Sequence, residues 1–193
     1  LGYEVHLVDP VPLHVERART VSAGRAQGRL ASAEVGDARA LSFGDRRADV
    51  VLLLGPLYHL TERADRASAL REALRVLRPG GLLLAAAISR FASLVDRLRG
   101  PLFDDPVFAS IVERDLATGQ HRNDTGNPRY FTTAFFHDPA GLAEEIGAAG
   151  FALVDVVGVE GPAASMPDFD RRFSDVATRE RLLAFLRTVE SEP

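Results

Sequence analysis

Glu72-Ala73-Leu74-Arg75-Val76-Leu77-Arg78-Pro79-Gly80-Gly81-Leu82-Leu83-Leu84-Ala85 is the stretch from which the fold can be read. Upstream of the proline, from about Arg63 to Leu77, residues Leu70, Leu74 and Leu77 recur on one stripe, the spacing of an amphipathic helix. Pro79 disfavours helical backbone at Arg78, and Gly80-Gly81 permit a tight turn. Leu82–Ile88 is then apolar without alternation, which predicts a strand covered on both faces. A helix that turns straight into such a strand belongs to a parallel sheet flanked by helices.

The same rhythm extends outward in both directions. Toward the N-terminus, Val50–Leu54 is a second solid apolar run, closed by Gly55-Pro56, and Leu30–Val35 is a weaker one, closed by Gly36-Asp37. Glu4–Val8 ends on Asp9-Pro10. A helix follows it, with Val11, Val15, Ala18 and Val21 at helical spacing, Pro12 in the first turn and Gly24 beyond the end. Toward the C-terminus, Pro139–Ala149 reads as a helix stopped by Gly150, Phe151–Val159 as a strand, and Ser174–Glu190 as a helix with Leu182, Phe185, Leu186 and Val189 on one side. Between these parts, Arg90–His137 breaks the pattern. It holds six of the eleven phenylalanines and the polar run Gly119-Gln120-His121-Arg122-Asn123-Asp124. The expected fold is α/β: a Rossmann-like, mostly parallel sheet with helices on both faces, plus an aromatic-rich insertion after the strand ending near Ser89.

Composition sets limits on function. A length of 193 residues suits a single domain, here residues 1–193, with residues 90–137 as an insertion within it. The net charge of −4 argues against a broad phosphate-binding surface, so no nucleic-acid partner is expected. With no cysteine, disulfides, thiolate zinc sites and thiol catalysis are excluded, and no His or carboxylate spacing suggests a metal. No apolar run approaches ~20 residues, so no membrane span is expected, and a cytoplasmic location is compatible. All 23 basic residues are arginine, which points to a GC-rich, bacterial coding sequence. Leu1 leads directly into a strand-like run and reads as an incomplete N-terminus.

In open parallel sheets ligands bind beyond the carboxyl ends of the strands, so strand-end residues are the candidates. A carboxylate at Asp9 can accept both hydroxyl hydrogens of a ribose; its structural alternative is to cap the following helix. Asp37 can accept from an adenine amino group, or simply close a turn. Gly55 allows a ligand to approach the backbone.

Taken in order, Asp9, then Gly36-Asp37-Ala38-Arg39, then Ala48-Asp49-Val50-Val51 leading to Gly55-Pro56-Leu57-Tyr58-His59-Leu60, then Glu72 to Gly81, resemble the consecutive motifs of class I S-adenosylmethionine-dependent methyltransferases. The Pro-Gly-Gly turn before an apolar strand is the most distinctive. The resemblance covers Gly2–Ser89 well and Asp138–Val159 more loosely. It implies S-adenosyl-L-methionine as cofactor, with Asp9 on its ribose, Asp37 at the adenine amino group, the Ala38 backbone donating to a ring nitrogen, and Leu54 and Gly55 along the methionine. Tyr58 and His59 would sit near the transferred methyl. It also implies a first strand with a Gly-x-Gly-x-Gly turn before Leu1 and a last antiparallel strand after the final helix; neither lies in these 193 residues.

The expected activity is in-line methyl transfer to a small-molecule acceptor. His59 is the first candidate base, since an imidazole exchanges protons near neutrality, with Tyr58 beside it. The insertion is the expected substrate cover, with His121, Tyr130 and His137 as candidate acceptor-binding residues. Two alternatives compete: a catalytically inactive methyltransferase-like binding module, and a nicotinamide-dependent oxidoreductase, which Asp9 alone would allow and the Pro79-Gly80-Gly81 turn opposes. The sequence does not specify an oligomeric state.

Overall fold

The structure, a computed structural model, describes residues 2–159 and 166–188. The chain divides into two compact units, Leu1–Phe151 and Ala152–Pro193. The first unit runs β1 (His6–Asp9), α1 (Pro12–Ala23), β2 (Ser32–Val35), β3 (Ala48–Leu53), α2 (Pro56–His59), α3 (Arg63–Val76), β4 (Leu77–Ala85), β5 (Ile88–Ser89), α4 (Ala92–Arg99), α5 (Pro106–Thr118), β6 (Gln120–His121), a 3-10 turn (Pro128–Tyr130), β7 (Ala134–His137) and α6 (Pro139–Ala148).

Strand pairing differs from the single sheet expected. β1 and β2 pair in parallel, β3 and β4 pair in parallel, and β7 lies between β5, parallel to it, and β6, antiparallel to it. The result is three small sheets, two of them parallel pairs and the third mixed. Among the described residues β1 bonds only to β2 and β3 only to β4. Among the described residues no ladder joins the β1–β2 pair to the β3–β4 pair.

The Pro-Gly-Gly turn is also built differently. β4 begins before it, at Leu77, and Ala48 pairs with Leu77 while Val50 pairs with Leu82. Two steps along β3 are thus matched by five along β4, so Arg78-Pro79-Gly80-Gly81 bulges out of the ladder, where a missing amide hydrogen is tolerated. Gly80 takes φ 80°, and a Cβ on Gly81 would lie 3.0 Å from the Asp49 carbonyl. The run Leu82–Ile88 is broken at Ala86-Ala87, so that Ile88-Ser89 form a separate short strand with β7.

The sequence reading assigned no elements inside Arg90–His137; the structure contains two helices there. α5 is set by local chemistry. The Asp105 carboxylate accepts the Val107 and Phe108 amides, Pro106 occupies the first turn, and Gly119 ends the helix at φ 70°. α6 starts the same way, with Asp138 accepting the Gly141 amide.

Two apolar clusters hold the unit. Leu53, Leu57, Leu70, Ile146 and Ala149 pack together, with Ala38, Leu83, Leu142 and Phe151 against them. Within the insertion, Leu102, Phe108, Ile111, Val112 and Tyr130 form the other, flanked by Leu94 and Leu116.

Phe151–Val159, which leads from the first unit into the second and is expected as a strand, forms no strand. A strand exists through its ladder, and no described segment pairs with this one; Val154 and Val159 are 86% and 95% exposed. The helix expected over Ser174–Glu190 is α8 (Val176–Arg187), started by the Asp175 carboxylate, which accepts the Thr178 amide; a further short helix, α7 (Phe169–Ser174), precedes it. Val189 and Glu190, at the end of the expected helix, lie outside the described residues.

Candidate functional site

The carboxyl ends of β1 and β2 come together. The Gly36 amide donates to the Asp9 carbonyl at 3.2 Å, and a Cβ on Gly36 would sit 2.8 Å from a Val8 methyl, so only glycine lets β2 leave so close to β1. The Asp9 carboxylate accepts the Val11 amide at 2.8 Å and faces His14 Nδ1 at 3.1 Å, both through Oδ1. It therefore supports the entry to α1 and still keeps Oδ2 without a partner among the described residues. A one-third-exposed carboxylate with a spare oxygen fits the ribose hydroxyls that the resemblance implies. His14 is thereby part of this corner.

Asp37 is placed differently. Arg39 donates to it from its backbone amide (2.8 Å) and from its guanidinium at both oxygens (2.6–3.1 Å), and Arg39 also reaches Asp65 at 2.9 Å. The Arg39 side chain holds the Asp37 carboxyl below the usual carboxylate range. An adenine amino group could use Asp37 only by sharing it with Arg39 or displacing that side chain. Ala38 packs against the cluster containing Leu53 and Leu57, which joins this corner to the end of β3.

Past β3, Leu54 is exposed, and Gly55 caps the short helix α2. The Tyr58 hydroxyl donates to the Leu54 carbonyl at 2.7 Å, and the Tyr58 and His59 rings lie 4.7 Å apart, tilted. A Cβ on Gly55 would meet His59 at 3.7 Å and the Tyr58 hydroxyl at 3.9 Å. Leu54, Gly55, Tyr58 and His59 thus form one small corner. His59 is exposed, and its ring nitrogens have no hydrogen bond among the described residues.

β7 packs on α2 and so brings the insertion to this corner. Gln120 Nε2 donates to the Thr61 carbonyl at 3.1 Å, and Arg122 lies 3.7 Å from Glu62. The three insertion residues singled out from sequence are all buried. The Tyr130 hydroxyl donates to Asp105 at 2.8 Å, and its ring stacks on Phe108 at 5.7 Å. His121 Nε2 faces the Tyr130 carbonyl at 2.7 Å and its Nδ1 faces Asp115 at 2.8 Å, where the Ser93 hydroxyl also donates at 2.6 Å. Both nitrogens meet acceptors, the pattern of an imidazolium. Burial alone would lower its pKa, but Asp115 and the Tyr130 carbonyl hold it above the usual imidazole value.

His137 lies with Nε2 3.5 Å from Glu145, too far for a hydrogen bond, and both of its ring nitrogens are buried without one. Glu145 is itself clamped by Arg66 through two bonds of 2.8 and 2.6 Å. Arg66 also donates to the Leu60 and Thr61 carbonyls, and its guanidinium stacks 3.7 Å above the Phe135 ring. Burial would raise the Glu145 pKa, yet Arg66 and His137 bring it down to about 2.

Sequence reasoning missed Arg66, Glu145, Asp115 and Ser93. A signal existed for two of them. Arg66 heads the row Arg66, Ala69, Leu70, Ala73, and Asp115 ends the row Phe108, Ile111, Val112, Asp115. A charge on the buried stripe of a helix announces a buried partner.

The family profile described as "Methyltransferase domain" matches residues 1–85. The chain is 34% identical over 120 residues to a ubiquinone/menaquinone biosynthesis C-methyltransferase of Azotobacter vinelandii, covering 61% of this chain and 44% of that protein. It is 29% identical over 163 residues to a ubiquinone biosynthesis O-methyltransferase of Azorhizobium caulinodans, covering 82% and 54%. The chain thus spans about half the length of these curated relatives. Among solved structures, its fold is similar to a SAM-dependent methyltransferase from Methanosarcina mazei (TM-score 0.60, 20% identity, 79% of this chain and 71% of the other). It is also similar to the CcbJ methyltransferase of Streptomyces caelestis (TM-score 0.57, 20% identity, 92% and 77%).

Proposed function

We propose that the protein, whose residues 1–85 match a methyltransferase-domain profile, is a class I S-adenosylmethionine-dependent methyltransferase that methylates a small-molecule acceptor by in-line transfer. The observation that carries this reading is the corner at the strand ends. Asp9, tied to Gly36, offers a carboxylate oxygen with no partner among the described residues, and Gly55 lies against Tyr58 and His59. S-adenosyl-L-methionine, bound there, supplies an electrophilic methyl on its sulfonium.

In this reading Asp9 holds the ribose hydroxyls, Asp37 and the Ala38 amide face the adenine, and Leu54 and Gly55 flank the methionine. Tyr58, fixed on the Leu54 carbonyl, narrows the approach to the sulfonium side. His59, whose ring nitrogens have no hydrogen bond among the described residues, takes the proton from an acceptor hydroxyl. Residues 90–137 cover the acceptor and exclude water, with His121, Tyr130 and His137 setting the shape of that cover from inside. Alignment of acceptor and methyl supplies much of the rate. The two quinone-biosynthesis relatives favour an acceptor carrying an oxygenated ring.

Calorimetry of the full-length protein with S-adenosylhomocysteine tests the reading. Binding is expected, and Asp9→Ala should weaken it by ~1.5–3 kcal/mol, the range for hydrogen bonds to a charged group. An unchanged affinity would remove Asp9 from the site. Cofactor binding without methyl transfer to any phenolic acceptor would favour the inactive binding module instead.

A further inference from the structure

Phe131 stands in a backbone conformation that suits glycine. Its φ is 63° and ψ −169°, a region nearly closed to residues with a Cβ. The surroundings enforce it. Asn123 Nδ2 donates to the Phe131 carbonyl at 2.7 Å and to the Asn127 carbonyl at 2.8 Å, and His121 Nε2 holds the carbonyl of the preceding residue, Tyr130. Asn123 Oδ1 in turn accepts from the backbone amide and hydroxyl of Thr125. A glycine at this position would relieve the strain at once, so the phenyl group itself must be what the position needs.

The phenyl group is not there to fill the core. Phe131 is 48% exposed. Its ring centroid lies 5.9 Å from that of His121 and 6.4 Å from that of Phe136, while it also lines a shallow, open surface depression with Asn123, Gly126, Pro128, Thr132 and Thr133. No lining residue is charged, which disfavours a phosphate or carboxylate. The Thr132 and Thr133 side chains are exposed, and their hydroxyls have no hydrogen bond among the described residues. An aromatic wall beside free hydroxyls matches a flat ring with oxygen substituents. The loop is also tethered to the corner described above: Gln120 holds Thr61, two residues past His59, and Thr133 leads directly into β7, which packs on the helix carrying Tyr58 and His59.

We propose that Phe131 is the residue by which the protein recognises its acceptor, as the stacking wall of a subsite for a neutral, planar, oxygen-bearing ring of the phenol or catechol type. The assignment rests on the methyl-transfer reading above.

The test uses the full-length protein with catechol as probe and cyclohexanol as its non-planar control, followed by ligand-observed NMR. S-adenosylhomocysteine calorimetry and thermal melting are run in parallel. Wild type is expected to bind catechol in preference to cyclohexanol. Phe131→Gly should weaken catechol by about tenfold, the loss of one aromatic stack, while leaving S-adenosylhomocysteine affinity unchanged and the melting temperature no lower. Phe131→Tyr should keep catechol binding. Equal binding of both probes, no catechol binding, or catechol binding indifferent to Phe131→Gly would each overturn the proposal. Should Phe131→Gly melt lower, Phe131→Leu, which keeps bulk and loses the π-face, decides in its place: unaltered catechol affinity there sinks the stacking role. Loss of S-adenosylhomocysteine binding in wild type, with the catechol pattern intact, would defeat the cofactor reading and leave the subsite standing.

Discussion

Arg66–Glu145 and His121–Asp115 are both buried ion pairs set into an otherwise apolar helix row, one on α3 and one on α5, yet their charges have different origins. The guanidinium is a permanent cation, and Glu145 is held near pKa 2, so that pair stays charged across the ordinary pH range. The imidazolium of His121 carries a charge only because Asp115 and the Tyr130 carbonyl stabilise it. Arg66 holds the corner after α2 to α6; His121 holds the loop that presents Phe131. A fixed charge thus secures the corner after α2, and a removable one secures the loop that presents Phe131.

The sharpest way to break this comparison is to delete one member from each pair. Arg66→Met strands the buried Glu145 and should lower the unfolding free energy by about 3–5 kcal/mol in urea titrations, with Arg66→Met/Glu145→Gln recovering much of the loss. Asp115→Ala should cost less, about 1–3 kcal/mol, because His121 can shed its proton and become neutral. Equal losses from the two single variants would erase the distinction.

Acid and base should separate the pairs next. Glu145 has a folded pKa below its unfolded value of ~4.5, so its contribution is present above pH ~4.5 and fades as pH falls toward 2. His121 has a raised folded pKa. Its contribution is complete below pH ~6.5 and is lost as pH climbs through the folded value, by at most about 1.4 kcal/mol per pH unit. Urea midpoints for wild type and Asp115→Ala between pH 6 and 9 check this: the wild-type curve should fall and the variant's should be flatter. Parallel curves would mean that His121 is neutral throughout.

The smallest effect concerns an exposed pair. Arg39→Ala removes the guanidinium from Asp37 at the surface and should leave the melting temperature unchanged. It should tighten S-adenosylhomocysteine binding if Asp37 serves the adenine, since the carboxylate would then be released. Weaker binding would instead make Arg39 part of the site.

The sequence was legible where apolar runs decide structure. β1, β3, α1, α3 and α6 lie within a few residues of their expected positions, because continuous apolar strands and striped helices carry their own pattern. Asp9 and Gly55 could be located for the same reason, as residues ending such runs. Phe151–Val159 failed because its apolar residues satisfied propensity without a strand to pair with. The insertion was opaque because its order comes from side-chain bonds to backbone, at Asp105, Asn123 and Asn127, and from charges buried in helix rows. Asp37 was identified as a strand-end acid, but nothing in the spacing foretold that Arg39 would occupy it.

Arg66 and Glu145 are 79 residues apart in the chain. Closing a loop of that length is entropically expensive, so the clamp is expected to form late in folding, after α3 and α6 already exist. Interactions absent from the transition state govern how fast a protein comes apart rather than how fast it assembles. The Arg66–Glu145 clamp should therefore act as a kinetic lock. Loosening it would speed escape from the native state while leaving refolding almost untouched.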